Sequence, residues 1–204
     1  MTAEMRRLTI GTRDGGTRHL VVRTFVDPYF VEHAEDMLHR EADAVVPPRG
    51  ADAVAWAAAT DAIRKPAPRY EGRFLHRDFH PGNVLSDEPS RNGAGLRISG
   101  VVDWVQTSWG PADLDVAHCS TNLALPHRPA WGLRFAEAYE ESGGVLAAAA
   151  GERLYWRLLD ALAFGSGVGP VARPWREAGR AELTTRAVEE RPDAYVIALL
   201  EAVS

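Results

Sequence analysis

Two reactive side-chain types are nearly absent from this chain. Cys119 is its one cysteine and Lys65 its one lysine. A single cysteine excludes an intrachain disulfide and a multi-cysteine zinc site. A single lysine leaves one candidate for any mechanism that requires a lysine amine. Long apolar runs are missing too: none approaches the roughly 18 to 20 residues of a membrane span. The opening MTAEMRRLTIG lacks the continuous apolar stretch of a secretory signal. A cytoplasmic protein with no membrane partner is therefore expected. Excess positive charge is also lacking. The formal net charge is -5, which weighs against a nucleic-acid partner, since such binders carry a basic footprint.

What is present is enough apolar sequence for a sizeable core. Nearly half of the 204 residues are hydrophobic, a length that forms one or two domains. Residues 6–10 and 19–26 are short β-branched runs around GTRDGGTR, whose Asp14-Gly15-Gly16 turn chemistry predicts a β-hairpin. Residues 31–46 read as a charged helix ended by Pro47 and Pro48, and alanine-rich residues 51–63 as a second helix. Residues 98–104, ISGVVDW, have the content of a short buried strand, with a surface turn at DEPSRNGAG before it. Helices follow from about Ala112. Trp131, Phe135 and Tyr139 recur at helical spacing, as do Leu154, Leu158 and Leu162, and both stripes read as core. FGSGVGP interrupts the helices, and residues 181–203 form a last helical region broken near Pro192.

Between these parts lies FLHRDFHPGNVL, residues 74–85. Two chemistries fit it. Were the segment extended, His76, Asp78 and His80 would alternate onto one side, and two imidazoles with a carboxylate could serve a metal-dependent hydrolase. The second reading uses more of the residues. Asp78 and Asn83 stand five apart, the H-R-D-x-x-x-x-N spacing of a kinase catalytic loop. A carboxylate there can orient an acceptor hydroxyl and take its proton. An amide oxygen a turn away can ligate magnesium, and Asp103, at the end of ISGVVDW, adds a hard carboxylate ligand. Pro81-Gly82 reverses the chain, and His76 and His80 become bracing residues.

These segments resemble the aminoglycoside phosphotransferase and choline kinase-like family, whose catalytic segment looks like HGDLHPGNVL. The family continues through a strand ending in I-D-W or V-D-W, a Gly-Pro pair and a D-L-A helix start. Here these are VVDW, Gly110-Pro111 and Asp115-Val116-Ala117. The resemblance implies an α+β, protein-kinase-like fold: residues 1–50 a reduced N-terminal lobe with hairpin and helix, residues 51–204 a mainly helical catalytic-type lobe. It implies transfer of the ATP γ-phosphoryl group to a hydroxyl of a small molecule. Asp78 would be the base, Asn83 and Asp103 the Mg2+ ligands, and Asp115 a brace on the loop.

The likeness covers residues 72–165 well and the first 46 thinly. HLVVRTF resembles the strand that offers a cation to the nucleotide phosphates, which places Arg23 there, and READAV places Glu41 opposite it. Arginine differs from lysine in length and fork geometry. No G-x-G-x-x-G loop precedes them, and 34 residues separate Glu41 from His76. That interval suits a shortened family member with an abbreviated nucleotide grip. A catalytically weak or inactive relative that binds a metabolite or protein is the alternative. Glu137, Glu140, Glu141 and Asp160 read either as an anionic groove for a cationic acceptor or as solvated helix faces.

Overall fold

Two nine-residue runs of alternating character pair as an antiparallel hairpin, β1 (Ala3–Gly11) with β2 (Thr17–Phe25). Leu8 faces Leu20, and Arg23 stands opposite Met5. The computed structural model describes residues 3–11, 17–25, 45–87, 97–165 and 167–203. The Asp14-Gly15-Gly16 turn, the DEPSRNGAG turn from residue 88 on, Glu41 and residues 31–44 of the expected helix lie outside them. Val45 and Val46, at that helix's predicted end, are not helical. The chain divides into two compact units, Met1–Arg40 and Glu41–Ser204.

In the second unit, Asp52 starts α1 (Ala53–Ile63) by accepting from the Val54 and Ala55 amides, which satisfies two of the orphan donors at a helix start. Trp56, Ala59 and Ile63, three and four residues apart, are its buried face. An extended connector then enters β3 (Arg73–Leu75), which pairs antiparallel with β6 (Ser108–Gly110). Between them in sequence, β4 (Val84–Asp87) pairs with β5 (Arg97–Val101). The run ISGVVDW is thus strand only to Val101. A 3-10 turn at Trp104–Gln106 follows, entered through Asp103 in the left-handed region, φ 61°.

Helices make up the rest: α2 (Ala112–Ala124), α3 (Pro129–Glu141), α4 (Ala150–Ala163), α5 (Gly169–Glu177), α6 (Thr185–Glu189) and α7 (Arg191–Glu201). Pro192 sits in the first turn of α7, where a missing N–H costs nothing. That is why the last helical region breaks there. Helix α5, beyond FGSGVGP, was not anticipated. Helix α4 packs against α1, α2 and α7, burying Trp156, Leu158, Leu162, Tyr195 and Leu199. Each such side chain contributes about 1.5–3 kcal/mol. The aromatic stripe of α3 is only partly core. Phe135 and Tyr139 pack on Val116 and Ala136, whereas Trp131 is 58% exposed.

Candidate active site

The two short strand pairs explain how distant residues meet. Residues 76–83 connect β3 to β4, and residues 102–107 connect β5 to β6. Because β3 pairs with β6 and β4 with β5, both connections leave the same strand ends. Val84 lies opposite Val101, and the Val102 amide donates to the Asn83 carbonyl at 2.9 Å. Asp103 is therefore one residue beyond a direct backbone tie to Asn83. Twenty residues of sequence separation close into a neighbouring pair.

The loop is held mainly by its backbone. Asp115, in the first turn of α2, accepts from the His76 amide through Oδ2 and from the Arg77 amide through Oδ1, each at 2.7 Å. Short bonds from N–H to a carboxylate are among the stronger hydrogen bonds. His76 is buried and spends both ring nitrogens: Nε2–H donates to the Val102 carbonyl at 2.8 Å, and Nδ1 accepts from the Asp78 amide at 3.3 Å. The ring rests against Trp104, centroids 4.6 Å apart. Arg77 takes a left-handed conformation, φ 71°, which costs a non-glycine residue about 1–2 kcal/mol. The resembling family segment has glycine at that position.

His80 starts the Pro81–Asn83 3-10 turn, its Nδ1 accepting from the Gly82 amide at 3.1 Å. A Cβ on residue 82 would stand 2.8 Å from the imidazole Cε1, so the ring's approach requires glycine. Burial is the largest influence on His80 and pulls its pKa below the ordinary value, with Asp78 acting in the opposite sense. The neutral ring then carries its proton on Nε2, 3.6 Å from Asp78 Oδ1.

Asp78 ends up at the centre of a polar cluster with 26% of its side chain exposed. Asn83 Nδ2 donates to its carbonyl at 2.9 Å and to its Oδ2 at 3.1 Å. Since both partners are pure acceptors, the Asn83 amide must turn its NH2 inward, which leaves Oδ1 facing away. The exposed Asp103 makes no capping bond and lies within electrostatic reach of His80. The outward amide oxygen of Asn83 and the exposed carboxylate of Asp103 are both hard oxygen donors, the ligand type that Mg2+ takes.

The histidine-rich metal reading does not fit. Arg77's left-handed backbone breaks the alternation that would bring His76, Asp78 and His80 to one side. Both nitrogens of His76 and Nδ1 of His80 are also already engaged. Among the described residues, no group of three or more His, Cys, Asp or Glu is placed to hold a metal ion.

Two contributors were missed from sequence. His118, one turn beyond Asp115 on α2, places Nε2 3.3 Å from Asp78 Oδ1 and Nδ1 2.9 Å from Asp160 Oδ1. Asp160 is thus neither groove nor solvated face: its side chain is largely buried on α4. The spacing Asp115-x-x-His118 and a carboxylate inside the Leu158–Leu162 apolar run were the available signals. Arg23, on β2, belongs to the other compact unit.

The APH model, the phosphotransferase enzyme family, matches residues 3–155. The chain belongs to this family. Its strand-containing N-terminal lobe followed by a mainly helical C-terminal lobe is the protein-kinase-like architecture. Membership carries a general phosphotransferase-type activity, with ATP dependence as a family trait. No curated protein and no solved structure matches the chain significantly. Among the described residues, no helix is long and apolar enough to cross a membrane.

Proposed function

We propose that this chain transfers the γ-phosphoryl group of ATP to a hydroxyl of a small molecule, with Asp78 as general base. The observation that supports it most is the convergence of Asp78, Asn83 and Asp103 at the shared end of two strand pairs. Asp78 accepts the acceptor's hydroxyl hydrogen, orients the oxygen toward the γ-phosphorus and takes the proton as the new O–P bond forms and the bond from phosphorus to the β,γ-bridging oxygen breaks, with ADP as the leaving group. Asn83 fixes the Asp78 carboxylate with its NH2, and Oδ1 is then available with Asp103 to hold a cation. These two oxygens would hold magnesium, which would supply charge neutralisation for the phosphates. Arg23 is assigned to the nucleotide phosphates.

A second reading is a weak or inactive kinase-like protein that binds a metabolite or protein. One observation favours it: described residues 45–72 contain α1 and no strand, so little sheet is available there to grip a nucleotide. Magnesium-dependent ATP consumption across a panel of hydroxylated small molecules, with an acceptor-free control, separates the two. Acceptor-dependent consumption is the expected result. A chain that neither binds ATP nor turns over any acceptor fits the second reading and defeats the first.

A further inference from the structure

Asp115 and His118 lie one turn apart on α2 and act on the same loop at different points. Asp115 takes the backbone amides of residues 76 and 77, while His118 reaches the Asp78 carboxylate. The imidazole lies between two carboxylates, Asp78 Oδ1 at Nε2 and Asp160 Oδ1 at Nδ1. We propose that His118, anchored by Asp160, is the positioning residue that fixes the orientation and charge environment of Asp78. The inference rests on Asp78 being the base, and it adds two residues outside the family-type motif.

The second anchor makes the arrangement directional. Asp160 Oδ2 is buried with no hydrogen-bond partner among the described residues, so its charge is compensated through Oδ1, where His118 stands. A doubly protonated ring donates to both carboxylates and clamps Asp78. A ring protonated only at Nδ1 keeps the Asp160 bond and turns a lone pair toward Asp78. Asn122 Nδ2, 3.2 Å from Nε2, can then donate to that lone pair. The proton on Nε2 thus decides whether Asp78 Oδ1 is held.

The groups facing His118 come from three sides: Asp78 and His80 from the loop, Asp160 and Phe164 from α4 and its end, and Asn122 from its own helix. Burial is the largest single influence and acts to lower the His118 pKa, but the bonds and charges of Asp160 and Asp78 outweigh it and the net shift is upward. The clamped form therefore persists to higher pH than the protonated form of an ordinary imidazole would.

The test combines a titration that needs no turnover with a kinetic one. Imidazole nitrogen NMR on the full chain, without nucleotide or metal, should give His118 a midpoint above that of an ordinary imidazole. Asp160→Asn and Asp78→Asn should each lower it, by about one unit or more, the usual effect of removing a close opposite charge. The distant His127 should not move. In the kinetic arm, ATP consumption is followed with an acceptor the panel identifies, or with water as acceptor if none is found. His118→Gln keeps a neutral donor but loses the cation. It should lower kcat by about tenfold or more, leave KM for ATP unchanged and move the acid limb of the kcat–pH profile upward.

A His118 midpoint indifferent to both substitutions overturns the proposal. So does His118→Gln with parental kcat and pH profile where Asp78→Asn abolishes turnover, a result that leaves the base assignment standing. If Asp78→Asn retains kcat, the base assignment fails instead, and the titration alone decides whether the clamp exists.

Discussion

The loop at residues 76–83 and the outer face of α3 are both rich in charge, and they are built in opposite ways. On α3, Arg134 meets Glu137 and Glu141 at 3.4 and 2.7 Å, and Arg153 of α4 meets Glu140 at 2.9 Å. These are mostly exposed, long side chains whose alternative partner is water. Around the loop, Asp115 and Asp160 are enclosed, and their partners are backbone amides or a single imidazole. Exposed pairs of the first kind contribute little because solvent screens them and ordering two long chains is costly. Enclosed carboxylates that satisfy backbone donors have no such substitute. Charge density alone therefore does not mark a working site; what the charge is bonded to does.

The sharpest way to break this contrast is Asp115→Ala, which strands the His76 and Arg77 amides together. Hydrogen bonds to a charged group contribute about 1.5–3 kcal/mol each. Urea unfolding should thus show a loss of about 3 kcal/mol or more, accompanied by loss of loop order. A loss below about 1 kcal/mol would mean that solvent can replace Asp115.

The His118–Asp160 pair sharpens it through pH. Folding raises the His118 pKa above its unfolded value. Its stabilisation is therefore complete below about pH 6.5, the unfolded imidazole value, and is lost as pH rises through the folded value. Unfolding free energy measured from pH 6 to 9 should decline across this window in the parent, with the decline much reduced in Asp160→Asn.

A smaller effect of opposite sign is expected at Arg77. Glycine should relieve the left-handed backbone, and after its greater unfolded-state entropy is subtracted, stability should rise by about 1 kcal/mol. Thermal unfolding reads this directly. At the bottom of the scale, Arg134→Ala should leave the unfolding midpoint unmoved, although it pairs with two glutamates. A clear drop there would contradict the contrast.

Much of the site was legible because its chemistry is local. Asp78, Asn83 and the Pro81-Gly82 turn lie within six residues, and the β-branched run before Asp103 marked a strand that could deliver it. Asp115 was named through the family likeness, and its two 2.7 Å bonds to the loop became visible only in the fold. His118 and Asp160 were harder because their meaning depends on how α2 packs on α4. Asp160 was grouped with Glu137, Glu140 and Glu141 on residue type, although it sits among Leu158, Leu159 and Leu162, where a carboxylate needs a partner. The end of ISGVVDW was misread for a different reason. Propensity continued the strand to Trp104, but the left-handed Asp103 turns the chain two residues after Val101.

The central claim is that Asp78 is the base of a phosphoryl transfer, and the kcat of Asp78→Ala tests it most directly. With an acceptor that the parent chain phosphorylates, turnover should fall by about 10²- to 10⁴-fold, or roughly 3 to 5 kcal/mol of transition-state stabilisation. The unfolding transition should stay close to the parent's. An Asp78→Ala chain that folds normally and keeps the parental kcat would contradict the account.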